Sequence, residues 1–438
     1  MIAYIAIFIE KRKTKGVDKM LMEFNYKKIL FFLLCCLNFY SVIFEDIKFL
    51  GYIFYYIIPV IFCAFNYKII LSILKQIIQT PFIHFFITCI LIGILSIIIP
   101  IAYGTFDFSY FTIRVMQITK ELVKMIFLLV FFIKYISPNY DYKLFMKYYV
   151  ISTCTYVMFT ILTIAFPTLR ELIINHLEVS ANTNRLFHQE NYFTRFGWCG
   201  FSGFTFTLKA SLSVIFSLYF IVINPNKHLV ENLIMLLVSF LGNLFYGRIG
   251  LIVSGIMILI TLFCLYKNNK MLVKKIILIF TYSFFVLILF SFYNERLQMW
   301  FNWTFQNFIN FFTTGSFSTT STEALENMYV LPSLKTFFIG DGYYSTSSGY
   351  YMNIDIGLLR PIYFAGIFFQ LLRYYTLYIP LKLIHISKIK YARYFSFCLL
   401  ILFIIFELKG ESIFPVINLI LIISIIITLN KNKVKIND

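Results

Sequence analysis

Apolar segments, most of them separated by short polar connections, run through almost the whole sequence. The chain has 438 residues, of which 60% are hydrophobic and 13% are charged, and its mean hydropathy is +0.82. A soluble domain of this size could not bury so much apolar surface. The sequence therefore predicts an all-α, polytopic membrane helix bundle, with residues 1–438 forming a single integral membrane domain.

Twelve of these segments are candidates for membrane spans, since a span needs about 20 apolar residues. The predicted spans are 29–45, 49–66, 82–102, 121–138, 147–166, 201–223, 229–246, 249–267, 275–292, 358–378, 394–408 and 412–429. The first and the last two are short, which leaves ten or eleven crossings as alternatives.

Lysine is concentrated at one side of this predicted topology. It is abundant in the basic tail 1–28, between spans eight and nine, between spans ten and eleven, and after span twelve. With twelve spans these regions all lie on one side, and the positive-inside bias makes that side the cytoplasm. We therefore expect a multi-pass protein of the cytoplasmic (inner) membrane with both termini cytoplasmic. The formal charge of +18 is explained in the same way, so we expect no nucleic-acid partner.

Several motifs of soluble enzymes are absent from the sequence. It contains no P-loop, no Gly-x-Ser-x-Gly, no His-Glu-x-x-His and no Asp-x-Asp pair. Their absence disfavours a membrane ATPase and a nucleotide-sugar transferase that needs a metal-binding carboxylate pair. All cysteines except Cys199 fall inside apolar segments, which is typical of small core residues. We expect neither a metal site nor a cofactor.

Two long connections are predicted on the outer side, opposite the lysines. The first is 167–200, and the larger one is 293–357, between spans nine and ten. A connection as long as the second is usually either functional or disordered. Its many aromatic residues and its return into a helix through charged residues favour function.

Arginine is distributed differently from lysine. The arginines predicted at the outer side or at the outer ends of spans are Arg114, Arg170, Arg185, Arg195, Arg248, Arg296 and Arg360; those predicted elsewhere are Arg12, Arg373 and Arg393. Positive charge is normally biased away from the outer side, and guanidinium groups bind phosphate in a two-point geometry. The pattern indicates a lipid-linked pyrophosphate or an acidic glycan as ligand. The alternative is that each arginine only anchors a helix end.

The turn Gly247-Arg248-Ile249-Gly250 is the most promising single anion site. Arg248 is predicted where one helix ends and the next begins, and a helix N-terminus beside an arginine attracts anions. The flanking glycines would let a ligand approach the backbone closely. Lys209 is predicted about half a span deep, and charges inside the membrane usually mark function.

Four short motifs resemble those of the O-antigen polymerase and O-antigen ligase superfamily, a family of polysaccharide repeat-unit polymerases and ligases. They are Arg195-Phe196-Gly197, Gly247-Arg248-Ile249-Gly250, the segments Phe338–Gly342 and Asp355–Arg360 that close the 293–357 connection, and Glu407-Leu408-Lys409. The likeness covers roughly residues 195–410.

This resemblance implies a metal-independent membrane glycosyltransferase. It would join undecaprenyl-diphosphate-linked oligosaccharide repeat units into O-antigen, the polymer of lipopolysaccharide, or into capsular polysaccharide, on the outer face of the membrane. The implied site residues are Arg195, Arg248 and Arg360 for pyrophosphate binding, Asp355, Glu326 and His188 for catalysis, and Gly340, Gly342, Glu407 and Lys409 in supporting roles. We expect the three arginines to converge on one outward-facing site. The alternative role of Asp355 is to cap the N-terminus of span ten.

The resemblance also implies binding partners for the protein, and it leaves alternative functions open. The lipid-linked glycan and membrane lipid are the expected partners, and a chain-length regulator is a further candidate. A ligase that transfers finished glycan to lipid A or protein is one alternative. A lipid-linked oligosaccharide flippase or other transporter is another, and it would favour charges deep within the helices together with short loops.

Overall fold

The computed structural model describes residues 18–78, 80–177, 193–225, 227–266, 269–293, 295–346 and 349–434. The helices of the first half are α1 (Asp18–Phe39), α2 (Glu45–Phe65), α3 (Tyr67–Ile78), α4 (Phe82–Ala102), α5 (Met116–Phe131), α6 (Tyr142–Ala165) and α7 (Pro167–His176). Those of the second half are α8 (Phe204–Ile223), α9 (Leu229–Tyr246), α10 (Arg248–Tyr266), α11 (Lys270–Tyr293), α12 (Glu295–Thr304), α13 (Gln306–Thr314), α14 (Thr320–Asn327), α15 (Leu334–Ile339), α16 (Arg360–His385), α17 (Ala392–Glu407) and α18 (Ile413–Val434).

Helices account for nearly all of the regular structure, so the predicted all-α class is confirmed. In the described ranges, strands occur only as two small antiparallel hairpins, in which β1 (Phe196–Gly197) pairs with β2 (Gly200–Phe201) and β3 (Ser345–Thr346) pairs with β4 (Gly349–Tyr350).

Seven helices in the described part of the chain are long and apolar enough to cross a membrane. They are α2, α4, α6, α8, α9, α10 and the Ile413–Asn430 part of α18. The other predicted spans overlap α1, α5, α11, α16 and α17. Helix α17 has 16 residues and is about 24 Å long, which is less than the roughly 30 Å of a hydrocarbon core. The membrane character is thus supported, whereas the count of twelve spans and the orientation remain predictions.

Helix α8 occupies the centre of the bundle and packs against α6, α9, α10 and α17. Small polar residues join these helices: Ser211 Oγ donates to Asn243 Oδ1 over 3.0 Å, and the hydroxyls of Ser213 and Ser239 are 2.7 Å apart. A Cβ atom on Gly250 would lie only 2.4 Å from Asn243 Oδ1. In this structure Gly250 therefore permits close helix packing, rather than the close approach of a ligand that its sequence motif suggested.

The predicted connection 293–357 contains four short helices, α12 to α15, and the β3–β4 hairpin. Helix α11 leads from Lys270 into this insert, and α16 leads from it to His385. These helices have 24 and 26 residues, or about 36 and 39 Å at the α-helical rise. We call the end of the bundle that carries this insert the insert end. We call the opposite end, where α11 begins at Lys270 and α16 ends at His385, the lysine end. The assignment of the insert end to the outer face remains a prediction.

Helix α16 is broken near its start. Gly366 has φ +79°, and a Cβ atom there would lie 2.2 Å from the carbonyl oxygen of Phe338. The backbone of Asp341 donates to Tyr363 O over 2.7 Å across this break. A Cβ atom on Gly340 would likewise lie 2.5 Å from the α16 backbone next to Gly366. The insert can therefore approach α16 this closely only because both Gly340 and Gly366 lack a side chain.

Candidate functional site

Glu411 lies in the connection between α17 and α18 and is buried among three arginines. Its Oε2 atom is 3.3 Å from Arg114 Nε and 3.4 Å from Arg373 Nη2. Its Oε1 atom is 3.8 Å from Arg360 Nη1 and accepts a hydrogen bond from the Tyr344 hydroxyl. Burial would raise the pKa of Glu411, but the three arginines and Tyr344 outweigh it and hold this pKa below its usual value. Glu411 is therefore an ionised anchor for the arginines.

Arg373 connects this carboxylate to a second one, Glu407, at the end of α17. Arg373 Nη2 is 3.6 Å from Glu407 Oε2, and its Nη1 donates to Gly357 O over 3.2 Å and to Gln370 Oε1. Glu407 Oε1 also accepts from the backbone and hydroxyl of Ser412, over 2.6 and 2.9 Å. We call Arg114, Arg360, Arg373, Glu407 and Glu411 the Glu411 cluster. It fixes α16, α17 and α18 to one another at the insert end.

Asp355 lies beside this cluster. Its Oδ1 is 3.5 Å from Arg360 Nη1, and its side chain is 40% exposed. Gly357, two residues after Asp355, packs closely against Gly410, because a Cβ atom on Gly357 would lie 2.5 Å from Gly410 O. This contact brings Asp355 near Lys409, the residue before Gly410. Burial raises the pKa of Asp355 to about 6, although Arg360 acts to lower it. A carboxyl group with this pKa is ionised at neutral pH and can still accept a proton.

Arg195 and Arg248 meet at the indole ring of Trp303. Their guanidinium carbons are 4.6 and 4.7 Å from its centroid, a distance at which cations are attracted to an aromatic face. Lys409 is close enough for its pKa to fall to about 8, mainly through burial and then through the charges of Arg195 and Arg248, while Asp355 opposes the shift. We call Arg195, Arg248 and Trp303 the Trp303 patch; Lys409 interacts electrostatically with its arginines and with Asp355.

Arg248 also holds the insert in place. Its Nη1 donates to Asn307 Oδ1 over 3.0 Å and to Thr319 Oγ1 over 3.2 Å, and its Nη2 donates to Gln306 Oε1 over 3.0 Å. These partners lie at the start of α13 and just before α14. These three partners are neutral, and they orient the guanidinium group. Arg248 consequently has a structural role in addition to any role in binding.

The connection between α4 and α5 fixes the other side of the insert. Asp107 Oδ2 accepts from the backbone N–H groups of Tyr344 and Ser345, over 2.6 and 2.8 Å. The Tyr103 hydroxyl donates to Ile339 O over 3.1 Å. Tyr344 then donates to Glu411 and places its ring 3.7 Å from the Arg360 guanidinium carbon. The insert is thus fixed to the bundle on both sides of the charged groups.

Six of the site candidates predicted from the sequence lie together at the insert end. They are Arg195, Arg248, Arg360, Asp355, Glu407 and Lys409. Asp355 does not cap a helix, because α16 begins five residues later with Leu359 as its N-cap residue; the alternative cap role was wrong. Gly340 and Gly342 support the contact between the insert and α16, with Gly342 N donating to Phe364 O over 3.0 Å.

Two predicted catalytic residues are not brought into this group. Glu326 is exposed on α14, and its side chain forms no hydrogen bond or ion pair with a described residue. Its neighbours Leu325 and Met328 pack against the cluster that contains Ile354 and Ile356, on either side of Asp355. His188 lies outside the described residues, as does Arg185.

Other members of the site were not among the sequence candidates. Arg373 was predicted away from the outer ends of the spans, yet it contacts both Glu407 and Glu411. Glu411 lies two residues after the Glu407–Lys409 motif, and this proximity is the only sequence signal for it. Trp303 and Tyr344 carry no motif, and only the fold of the insert places them against arginines.

The described site contains six cationic groups and three carboxylates. The cations are Arg114, Arg195, Arg248, Arg360, Arg373 and Lys409, and the carboxylates are Asp355, Glu407 and Glu411. Guanidinium and ammonium groups can bind phosphate oxygens, and Asp355 can accept a proton beside them. Within the described residues, no group of three or more His, Cys, Asp and Glu side chains could hold a metal ion.

Comparison with known proteins adds no relative. No protein-family model matches the chain, and neither a curated protein nor a solved structure is significantly similar to it.

Proposed function

We propose that the protein polymerises undecaprenyl-diphosphate-linked oligosaccharide repeat units into O-antigen or capsular polysaccharide on the outer face of the cytoplasmic membrane. The observation that supports this most is that Asp355 lies 3.5 Å from Arg360 and within electrostatic range of Lys409, which also interacts with the two arginines of the Trp303 patch. A proton acceptor beside several phosphate-binding cations suits glycosyl transfer from a lipid diphosphate.

In the proposed reaction a hydroxyl group of the acceptor repeat unit attacks the anomeric carbon of the donor sugar. The new glycosidic C–O bond forms as the bond between that carbon and the diphosphate oxygen breaks. Asp355 takes the hydroxyl proton, and undecaprenyl diphosphate leaves with the electron pair of the broken bond. Arg195, Arg248 and Lys409 stabilise its developing negative charge. Arg360 orients Asp355 and also contacts Glu411, which keeps the arginine in place.

A transporter is a second candidate because charged residues also occur deep in the bundle. Lys124 Nζ is 2.8 Å from Glu121 Oε1 and 2.8 Å from Ser41 Oγ, and Lys124 is buried. Lys209 donates a hydrogen bond to Phe39 O from within α8. Intramembrane charges of this kind can mark a substrate or ion path. The larger charged group at the insert end favours glycosyl transfer over transport.

Deletion of the gene would separate the candidates. For a polymerase, the deletion strain should carry single repeat units on the carrier or on the lipopolysaccharide core, and long polymer should be lost. Full-length polymer that accumulates on the lipid carrier would indicate a ligase. Unpolymerised repeat units trapped on the cytoplasmic leaflet would indicate a flippase. In membranes, polymerisation should persist after a chelator removes divalent metal ions.

A further inference from the structure

An apolar groove runs between α16 and α17, starting at the lysine end. Its volume is about 810 Å³, and its apolar lining includes Leu377, Leu381, Phe397, Leu400, Phe403 and Ile404. Phe397 and Ile404 are 52% and 54% exposed. The volume is in the range of sites that hold small molecules. The groove is therefore large enough for a ligand and is separate from the charged site at the insert end for most of its length.

Basic side chains line the groove only at the lysine end. They are Lys382, His385 and Arg393. His385 Nδ1 is 3.0 Å from Ser396 Oγ, whereas the Arg393 guanidinium group has no ion pair or hydrogen bond to a described residue. The sequence has no Asp or Glu between Asp355 and Glu407, so neither helix supplies a carboxylate to this end. The positive charge is available to an anion.

A second apolar groove lies on the other side of α17, against α10. Its volume is also about 810 Å³, and its lining includes Leu259 and Phe263. The two grooves share His385, Arg393 and Phe397. A ligand with one anionic group and two apolar chains could thus place the anion at Arg393 and one chain on each side of α17.

The part of the first groove between Arg393 and Ile404 is about as long as one leaflet of a bilayer is thick. From Arg393 to Ile404 along α17 the distance is about 16 Å at 1.5 Å per residue. Half of a hydrocarbon core of about 30 Å is about 15 Å. An acyl chain from the leaflet at the lysine end would fill this length, with its headgroup level with Lys382 and Arg393.

We propose that these two grooves form a binding site for one anionic diacyl phospholipid. Its phosphate lies between Lys382, His385 and Arg393, where guanidinium and ammonium groups donate charge-assisted hydrogen bonds. Its acyl chains lie on the two sides of α17. The first groove ends at Glu407 and Leu408, so the bound lipid would stabilise the helix that carries Glu407. The site does not depend on the reaction proposed above.

Lipid binding to the purified full-length protein tests this site. Native mass spectrometry in detergent would measure occupancy by phosphatidylglycerol, with phosphatidylcholine, which is zwitterionic and has no net charge, as the comparison. We expect preferential binding of phosphatidylglycerol, and Lys382→Gln/Arg393→Gln should weaken it at least about tenfold, since charged hydrogen bonds are lost. The matched control Lys274→Gln/Lys388→Gln removes the same charge from exposed positions at the lysine end and outside the grooves, and it should bind as the wild type does.

A second variant keeps all the charges and changes only the shape of the first groove. Leu400→Trp places a larger side chain in the first groove and should lower phosphatidylglycerol occupancy while Lys382 and Arg393 remain. Equal binding of both lipids would overturn the proposal. So would equal losses in the groove and control variants, because the lysine end would then attract anionic lipid without a specific site.

Discussion

Arg195 and Arg248 lie against the same indole ring, although one precedes α8 and the other begins α10. Their guanidinium carbons are 4.6 and 4.7 Å from the centroid of Trp303. Two cations that share one ring repel each other, and an anion bound between them would relieve that repulsion. The arrangement suits a diphosphate, which can accept hydrogen bonds from both guanidinium groups.

Trp303→Leu should weaken the interaction with the lipid diphosphate. A partly buried cation–π contact contributes about 1–2 kcal/mol, so we expect kcat/KM for lipid-linked repeat units to fall roughly 5–30-fold. Trp303→Phe keeps an aromatic face and should recover part of the loss. In a polymerisation assay with purified protein, an unchanged rate for Trp303→Leu would contradict a role of the ring in binding.

Arg248→Ala should abolish long polymer, and Arg248→Lys should restore only part of it. The reason is that a point charge cannot reproduce the planar fork that contacts Asn307, Thr319 and Gln306. Polysaccharide gels of complemented deletion strains would show the chain-length distribution.

The control for Arg248 separates its two roles. Gln306→Ala/Asn307→Ala removes partners of the guanidinium group but keeps its charge. If Arg248 binds the diphosphate, this double variant should retain most of the polymer. If the double variant is as defective as Arg248→Ala, the arginine acts only by holding the insert.

The pH dependence of kcat/KM should be bell-shaped. Burial raises the pKa of Asp355 to about 6, so the proton acceptor is lost as the pH falls below that value. Burial and the two nearby arginines lower the pKa of Lys409 to about 8, so a phosphate-binding charge is lost above it. Rates measured from about pH 5 to about pH 10 would report both limbs.

Two variants test which residue causes each limb of the pH profile. Lys409→Arg keeps its charge above pH 8 and should move the basic limb upward. Asp355→Asn cannot accept the proton and should lose most of its activity at every pH. A basic limb that stays near pH 8 in Lys409→Arg would exclude Lys409 as its origin.

Glu411→Gln should destabilise the fold strongly. It removes the charge that faces Arg114, Arg360 and Arg373, and it leaves Arg114 with no carboxylate partner among the described residues. Breaking a buried ion pair by removing one partner costs about 3–5 kcal/mol. Glu326→Gln makes the same chemical change at an exposed position and should alter stability by less than about 0.5 kcal/mol. Unfolding of the two purified variants in detergent would measure the difference. A loss of polymerisation in folded Glu326→Gln would restore that residue as a catalytic candidate.

The hydropathy pattern predicts the ends of most helices to within a few residues. Arg195, Arg248 and Arg360 lie near such ends, so the pattern also locates these arginines. The pattern is misleading for Arg373, because a regular helix over the predicted span 358–378 places this residue far from the outer end. A straight helix would separate Arg360 from Arg373 by about 20 Å, yet both contact Glu411. The break at Gly366 lies between them, and hydropathy carries no signal for a backbone of positive φ. Trp303 and Tyr344 depend on contacts between distant parts of the chain, which local patterns do not encode.

Gly366→Ala tests this break directly. Its φ of +79° disfavours any L side chain, and a Cβ atom would lie 2.2 Å from Phe338 O, which belongs to the backbone and cannot move aside cheaply. We expect a loss of at least about 2 kcal/mol in unfolding free energy, from the left-handed conformation together with the clash. Gly255→Ala is the matched control, because it lies inside α10 with nothing within 4 Å of its Cβ position. It should be neutral or stabilise the helix by up to about 1 kcal/mol. Equal stability of the two variants in detergent would show that α16 does not need its break, and the account of how Arg360 and Arg373 reach Glu411 would then be wrong.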